Sequence, residues 1–220
     1  MKELEELFNS WNNLRNKDHN NAKLTLKKAR RIISVSGSDG WSWVSDSLHD
    51  EIKKWFIASI FEKMPVPNYL FNEMLYASIM EGNPSSNRKF IEPCVRSFGV
   101  LSVLNEILKY LETGSNREKA GAVSILYWIR ETPDEKIPEE IYTKIRCWRL
   151  REFVNNEDVA LRQRIVPALI LDPKCYPEEL HNLIQKAIQI AQKHPDEYIR
   201  HRIEIQLGGE GPYKPLPNLK

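Results

Sequence analysis

Basic side chains recur at one position in five similar segments of the chain, and cations attract carboxylates and phosphates. The similarity is clearest between residues 157–169 (EDVALRQRIVPAL) and 195–207 (PDEYIRHRIEIQL). The recurring basic residues are Lys53, Arg88, Lys119, Arg162 and Arg200. This basic column has two interpretations. It is a structural ladder, in which each cation meets the polar turn of the adjacent repeat, or a positive stripe that binds acidic protein segments or phosphates.

Further cations lie beside the basic column and make the stripe broader than a ladder requires. These flanking residues are Lys54, Lys89, Arg164 and Arg202. We expect them to supply the electrostatic part of a partner-binding site. The Gly/Ser-rich segment 37–47 adds Trp41 and Trp43, which we predict to be apolar anchors of the kind found at interface hot spots. In the alternative interpretation, Trp43 only packs into the first helical pair.

Motifs for catalysis or metal binding are missing from the sequence. The five histidines are dispersed, and no C-x-x-C, H-x-x-x-H or HExxH spacing occurs. Neither a G-x-S-x-G segment nor a glycine-rich phosphate loop is present. Because Cys94, Cys147 and Cys175 are odd in number and far apart, they predict no closed disulfide framework and favour a reducing compartment. We therefore predict no catalytic residue, no metal site and no cofactor.

Composition describes an ordinary folded protein. Hydrophobic residues make up 41% and charged residues 28% of the 220 residues, which excludes a disordered chain. The net charge of +2 provides no overall attraction to nucleic acid or to anionic membranes. No apolar run approaches the roughly 18 residues that a membrane span needs. We therefore predict a cytoplasmic protein without membrane association.

Apolar residues recur at spacings of three and four along most of the chain, which predicts an all-α fold. Proline and glycine divide the chain into successive short helices, with a break at Thr132-Pro133 and a stop at Gly99. One helix is predicted over 158–171, and Asp158 and Asp196 are predicted to cap the first free amides of their helices. The second N-terminal helix carries a basic cluster, to which no function is assigned, of Lys27, Lys28, Arg30 and Arg31. We predict a single domain over residues 1–207, with N-terminal capping helices at 1–36 and helical repeats at 45–207. Segment 37–47 is predicted to be a loop, and residues 208–220 a flexible C-terminal tail.

The repeat has a period that stacked helical hairpins produce. Successive basic-column residues are 35, 31, 43 and 38 positions apart. Counted from each of them, the residues three positions on are Phe56, Ile91, Ala122, Ile165 and Ile203, and those seven positions on are Ile60, Val95, Leu126, Leu169 and Leu207. Both apolar columns lie on one helical face, so we expect neighbouring hairpins to bury them.

This pattern resembles HEAT repeats, whose second helices begin with a polar turn, an apolar-Arg pair and spaced aliphatic residues. The best matches are segments 158–169 and 196–207, while Glu118 before Lys119 and the prolines Pro93 and Pro167 depart from the pattern. The resemblance implies a short right-handed α-α superhelix, a HEAT-like solenoid of about five hairpins with an N-terminal capping helix. It also implies a protein-binding scaffold.

We therefore expect a non-enzymatic scaffold that holds a protein partner, with an acidic surface, in a concave groove. A first alternative is DNA binding, because Trp41, Trp43, Asp46 and Arg88 resemble the residue set of HEAT-like alkylpurine DNA glycosylases. A second alternative is an antitoxin-like inhibitor that covers the surface of an enzyme. The sequence contains no signal for the oligomeric state.

Overall fold

The structure is a computed structural model that describes residues 2–130 and 136–208. Within these ranges every regular element is helical and no strand occurs, which confirms the all-α prediction. The expected break at Thr132-Pro133 and the expected tail beyond Gly208 lie outside the described residues. No helix in the described part of the chain is both long enough and apolar enough to cross a bilayer.

Twelve α-helices occur in the described ranges. They are α1 (Lys2–Leu14), α2 (His19–Val35), α3 (Ser38–Leu48), α4 (Lys53–Phe61), α5 (Phe71–Met80), α6 (Arg88–Phe98), α7 (Val100–Thr113), α8 (Asn116–Ile125), α9 (Glu139–Asn155), α10 (Val159–Ile165), α11 (His181–Gln192) and α12 (Glu197–Gly208). Short 3-10 turns lie at Asn68–Leu70, Leu126–Trp128, Val166–Ala168, Pro173–Cys175 and Glu178–Leu180.

Side-chain caps determine where several helices begin. The carboxylate of Asp158 accepts a hydrogen bond from the amide of Leu161 at 2.8 Å, and Asp196 accepts one from Ile199 at 3.0 Å. Both caps are as predicted from the sequence. At the start of α8, the Ser115 side chain and Glu118 form a reciprocal capping box. This explains why an acidic residue replaces the apolar residue of the repeat pattern at Glu118.

The predicted loop at 37–47 is wrong, because Ser38–Leu48 forms α3. Its side chains Val44 and Leu48 are buried one helical turn apart, and this burial outweighs the roughly 1 kcal/mol that a glycine costs inside a helix. Gly40 itself is needed at its position. A Cβ atom there would lie 2.4 Å from the Cβ of Ser36, so only glycine allows α3 to start so close to the end of α2.

Proline and glycine end some helices and leave others intact. Pro167 lacks an amide hydrogen, and α10 ends at Ile165 rather than continuing to Leu171 as expected. Pro93, by contrast, lies inside α6, which continues to Phe98. Gly99 follows with a positive φ of 81°, which confirms a glycine stop at that point.

The chain forms two compact units. Of the residues that the structure describes, 2–103 and 127–130 form the N-terminal unit, and 104–126 and 136–208 form the C-terminal unit. In the N-terminal unit, α2 packs on α4 and α4 on α6, while α3 packs on α5 and α1 contacts α2 and α4. In the C-terminal unit, α8 packs on α10 and α10 on α12, while α9 packs on α11. In each unit, every second helix along the chain therefore packs on the next in one row, α2, α4 and α6 in the first unit and α8, α10 and α12 in the second.

The apolar column three positions after each basic residue is buried at all five places, as predicted. The column seven positions on is less regular. Ile60 and Leu169 are buried, Val95 and Leu126 are half-buried, and Leu207 is 37% exposed. Burial of Leu207 was therefore predicted wrongly, because no helix of the described chain follows α12 to cover its last turn. The single domain over residues 1–207 stays a prediction.

Candidate functional site

The two tryptophans that were expected to anchor a partner differ in their surroundings. Trp43 is 8% exposed, donates a hydrogen bond from Nε1 to Glu5 at 3.0 Å and meets Phe56 edge-on. These contacts favour the packing interpretation of Trp43. Trp41 is half-buried, and its ring meets Tyr69 edge-on with centroids 5.1 Å apart. Tyr69 is exposed, so this aromatic pair reaches the surface of the N-terminal unit.

Among the flanking cations, Lys54 forms ion pairs with two carboxylates of the protein. Its Nζ lies 2.7 Å from a carboxylate oxygen of Glu51 and 3.1 Å from one of Glu81. Burial lowers the pKa of Lys54, but the hydrogen bonds to Glu51 and Glu81 outweigh it and the net shift is upward. Lys54 is therefore charged, but both of its carboxylate partners belong to the protein itself.

The remaining flanking cations divide between the two units. Lys89 lies in the N-terminal unit, is exposed, and places its Nζ 5.6 Å from the ring centre of Trp55. Arg164 is exposed and Arg202 half-buried, and both belong to the C-terminal unit. The six predicted binding residues thus do not converge within one unit.

The basic column makes a different contact at each position. Lys53 pairs with Glu5 at 2.9 Å, Lys119 pairs with Glu152 at 2.9 Å, and Arg88 lies 3.3 Å from Glu92 on its own helix. Arg162, 8% exposed, donates from Nε to the carbonyl of Phe153 at 3.1 Å, and burial lowers its pKa despite the nearby Glu157. Arg200 donates to the carbonyls of His194 and Pro195. Arg162 and Arg200 thus contact their own helical pair.

A groove of about 1370 Å³ lies in the N-terminal unit, and we call it the cationic groove. Its walls are the end of α1, one face of α2, the segment from Glu51 to Lys63, and the start of α6. Six cationic side chains line it, against two carboxylates, Glu51 and Glu62. The six cations are Arg15, Lys23, Lys27, Arg30, Lys63 and Lys89.

The amphipathic pattern of α2 produces the largest part of this charge. Lys23, Lys27 and Arg30 are spaced four and three residues apart and therefore share one helical face. Buried Ala29 and Ile33 hold another face of α2 in the core. Packing of that apolar face turns the cations toward the groove.

Three of the groove cations are held by contacts within the protein. The guanidinium of Arg30 donates to the carbonyls of Ser59 at 2.6 Å and Ile60 at 2.8 Å, and burial lowers its pKa while Glu62 opposes the shift. These bonds cap the C-terminal end of α4. The Arg15 guanidinium lies 5.1 Å above the ring centre of Trp11, and Lys89 lies over Trp55 as described above.

Lys23, Lys27 and Lys63 are the cations that remain available to a ligand. All three are exposed, and none forms an ion pair with a carboxylate in the described ranges. Their charges face a shared concave space. A ligand that fills this space displaces water and lowers the local dielectric constant, which strengthens the attraction between the lysines and an anion. The arrangement can therefore bind an acidic ligand.

The described part of the chain contains no cluster of three or more His, Cys, Asp or Glu side chains suited to a metal ion. Cys94 is fully buried in the core, and burial raises the pKa of its thiol to about 12. That thiol stays protonated at neutral pH and is a poor nucleophile.

Sequence reasoning identified only one of the six groove cations, Lys89, as a binding residue. Lys27 and Arg30 were placed in a basic cluster of the N-terminal capping helices without a functional role. The signal that could have found the site is the spacing of Lys23, Lys27 and Arg30, which predicts a cationic stripe on one face of a helix.

Comparisons of the chain with protein-family models, with curated proteins and with solved structures found no match.

Proposed function

We propose that the protein is a non-enzymatic interaction module built from HEAT-like repeats, and that its cationic groove binds an acidic segment of a protein partner. The observation that carries the proposal is the set of six cations against two carboxylates along one groove, with three lysines that have no acidic partner among the described residues. The HEAT-like part is supported by the rows of alternate helices in each unit and by the buried apolar column.

A protein ligand fits the groove better than a nucleic acid does. Single-stranded nucleic acids bind through aromatic platforms that stack bases, but Trp11 is 6% exposed under Arg15, and Trp55 packs on Phe90 beneath lysines. Leu24, 55% exposed, and Ile52, 49% exposed, also line the groove and offer apolar contacts that a phosphate backbone does not use. These features favour a ligand that carries both acidic and apolar side chains.

The base-excision alternative has little support in the N-terminal unit. It requires Trp41 and Trp43 to approach a nucleobase, whereas Trp43 is packed in the core with its indole N–H bonded to Glu5. An inhibitor of an enzyme remains one form of protein partner. Such an inhibitor would use the same groove.

Fluorescence anisotropy with the full chain tests the proposal. The probes are a labelled 16-residue peptide rich in Glu and Leu, its Glu→Gln counterpart, and a labelled 16-nucleotide single strand together with its duplex. We expect the acidic peptide to bind, and the Gln peptide to bind at least about tenfold more weakly, because each exposed charge pair contributes on the order of 1 kcal/mol.

A matched pair of triple variants locates the site. Lys23→Glu, Lys27→Glu and Lys63→Glu together should abolish binding. The control triple, Lys144→Glu, Lys186→Glu and Lys193→Glu, makes the same charge change at exposed lysines of the C-terminal unit and should bind normally. Tighter binding of either oligonucleotide than of the acidic peptide, or equal loss in both triples, would contradict the proposal.

A further inference from the structure

We infer that the occupant of the cationic groove is an amphipathic α-helix of about ten residues with acidic side chains at i, i+4 and i+7. This inference rests on the proposed function and adds the conformation and the sequence pattern of the partner segment. Three properties of the groove support it: its length, the spacing of its cations, and the position of its apolar residues relative to its cations.

The length of the groove follows from α2. The α2 residues in its wall run from His19 to Arg30, which at 1.5 Å per residue gives a wall about 16 Å long. A helix of about ten residues has the same length. Within that wall, Lys23, Lys27 and Arg30 repeat at about 5 to 6 Å, one helical turn. A partner helix lying along α2 therefore presents carboxylates to Lys23 and Lys27 when its acids repeat at the same interval. A third acid meets the charge of Arg30, because two of the five N–H groups of its guanidinium bind Ser59 and Ile60.

The spacing of the cations favours a helix over an extended strand. Lys23, Lys27 and Arg30 lie within a separation of seven residues on α2, which spans about 10.5 Å along the helix axis. Three same-face side chains of a strand span about 13 Å, because they alternate at about 3.3 Å per residue. A strand therefore falls out of register with the third cation, whereas a helix stays in register.

Apolar residues next to the cations indicate that the occupant is amphipathic. Leu24 directly follows Lys23 on α2, and Ile52 lies on the facing wall beside Glu51. Each of the two apolar side chains is about half exposed. A partner helix that carries a leucine stripe beside its acidic stripe would cover both side chains while its carboxylates meet the lysines.

Two labelled 14-residue peptides of identical composition test the pattern against the full chain. One peptide places Glu at i, i+4 and i+7 with Leu on the adjacent face, and the other distributes the same residues evenly around the helix. We expect the patterned peptide to bind at least about tenfold more tightly and to gain helical circular dichroism when bound. Leu24→Ser should weaken the patterned peptide and leave the scrambled one unchanged.

Exchanging charges between the protein and the peptide shows which peptide positions lie opposite Lys23 and Lys27. Lys23→Glu with Lys27→Glu should weaken the patterned peptide at least about tenfold, and a peptide with Lys at the two facing positions should recover binding to that variant. Because the swap restores binding, it also shows that the variant is folded. The control pair Lys144→Glu and Lys186→Glu should leave both affinities unchanged.

The outcomes separate this inference from the function on which it rests. Equal affinity of the patterned and scrambled peptides, or binding without a gain of helix, overturns the helical occupant but leaves an acidic partner segment in place. Failure of both peptides to bind, or tighter binding of a 14-nucleotide single strand, overturns the inference and the proposed function together.

Discussion

The basic column of the C-terminal unit and the groove lysines of the N-terminal unit serve different purposes. In the C-terminal unit, Lys119, Arg162 and Arg200 are bonded to Glu152, to the carbonyl of Phe153 and to the carbonyls of the turn before α12. In the N-terminal unit, Lys23, Lys27 and Lys63 face a groove without an acidic partner among the described residues. A cation whose bonding groups are already satisfied stabilises the fold, and one without a partner is available to a ligand. We therefore expect substitutions in the two sets of cations to affect stability differently.

The largest effect is expected at the buried arginine of the C-terminal unit. Arg162→Ala removes the hydrogen bond to the Phe153 carbonyl and the packing of the guanidinium over the Phe153 ring. We expect the free energy of unfolding, measured by urea denaturation, to fall by about 2 to 3 kcal/mol. The matched control is Arg164→Ala on the same helix, where the side chain is exposed and the change should stay below about 0.5 kcal/mol. Similar losses in the two variants would contradict the structural role of Arg162.

The next effect is expected at Arg30, the groove cation that resembles those of the C-terminal unit. Arg30→Ala leaves the carbonyls of Ser59 and Ile60 without their charged donor at the end of α4. We expect a loss of about 1 to 2 kcal/mol in the free energy of unfolding. Arg31→Ala, next to it on the exposed face of α2, serves as the control. An unchanged urea midpoint for Arg30→Ala would show that the cap contributes nothing.

A pH-dependent effect is expected at His194 of the C-terminal unit. His194 is buried, and its Nδ1 accepts a hydrogen bond from the Asp196 amide at 3.1 Å. Burial and the charges of Arg162 and Arg200 lower its pKa below the ordinary 6.5, while Asp196 opposes the shift. At pH values between the folded-state pKa of His194 and 6.5, the unfolded chain binds more protons than the folded chain does. The stabilisation is therefore complete above about pH 6.5 and is lost as the pH falls toward the lower value.

Unfolding free energies measured across this pH window check the His194 prediction. The variant His194→Asn keeps a side-chain acceptor for the Asp196 amide but cannot titrate, so its stability should vary less with pH over the same window. A wild-type curve with the same slope as that of the variant would show that His194 is not responsible for the pH dependence.

The smallest effect on stability is expected at the unpaired groove lysines. Lys27→Ala removes an exposed charge that has no acidic partner in the described ranges, and it relieves repulsion from Lys23 one turn away. We expect the free energy of unfolding to stay within about 0.5 kcal/mol of the wild-type value, with any change in the stabilising direction. A loss of 1 kcal/mol or more would mean that Lys27 has a structural contact, and the difference between the groove lysines and the basic column would then disappear.

Local sequence signals were enough for the fold class and for many of its details. Helical periodicity indicated the all-α fold and the buried column through Phe56 and Ile203, and the caps at Asp158 and Asp196 followed from single residues. The Gly/Ser composition of segment 37–47 concealed α3, because the burial of Val44 and Leu48 is a tertiary effect that composition does not record.

The groove was harder to predict than the fold. Its walls come from segments between Trp11 and Lys89 that only packing brings together. The repeat pattern also predicted binding residues in and beside a basic column. Most members of that column contact the protein itself, as Lys53 does with Glu5. Which cations remain unpaired depends on the positions of their neighbours in three dimensions. That information is not contained in the spacing of the basic residues.

An NMR titration of the full chain, labelled with 15N-lysine, with the patterned acidic peptide shows directly whether the ligand occupies the cationic groove. We expect the amide signals of Lys23, Lys27 and Lys63 to shift on binding and to saturate together, while those of Lys144, Lys186 and Lys193 stay in place. Shifts confined to the lysines of the C-terminal unit, with none at the groove, would contradict binding in the cationic groove.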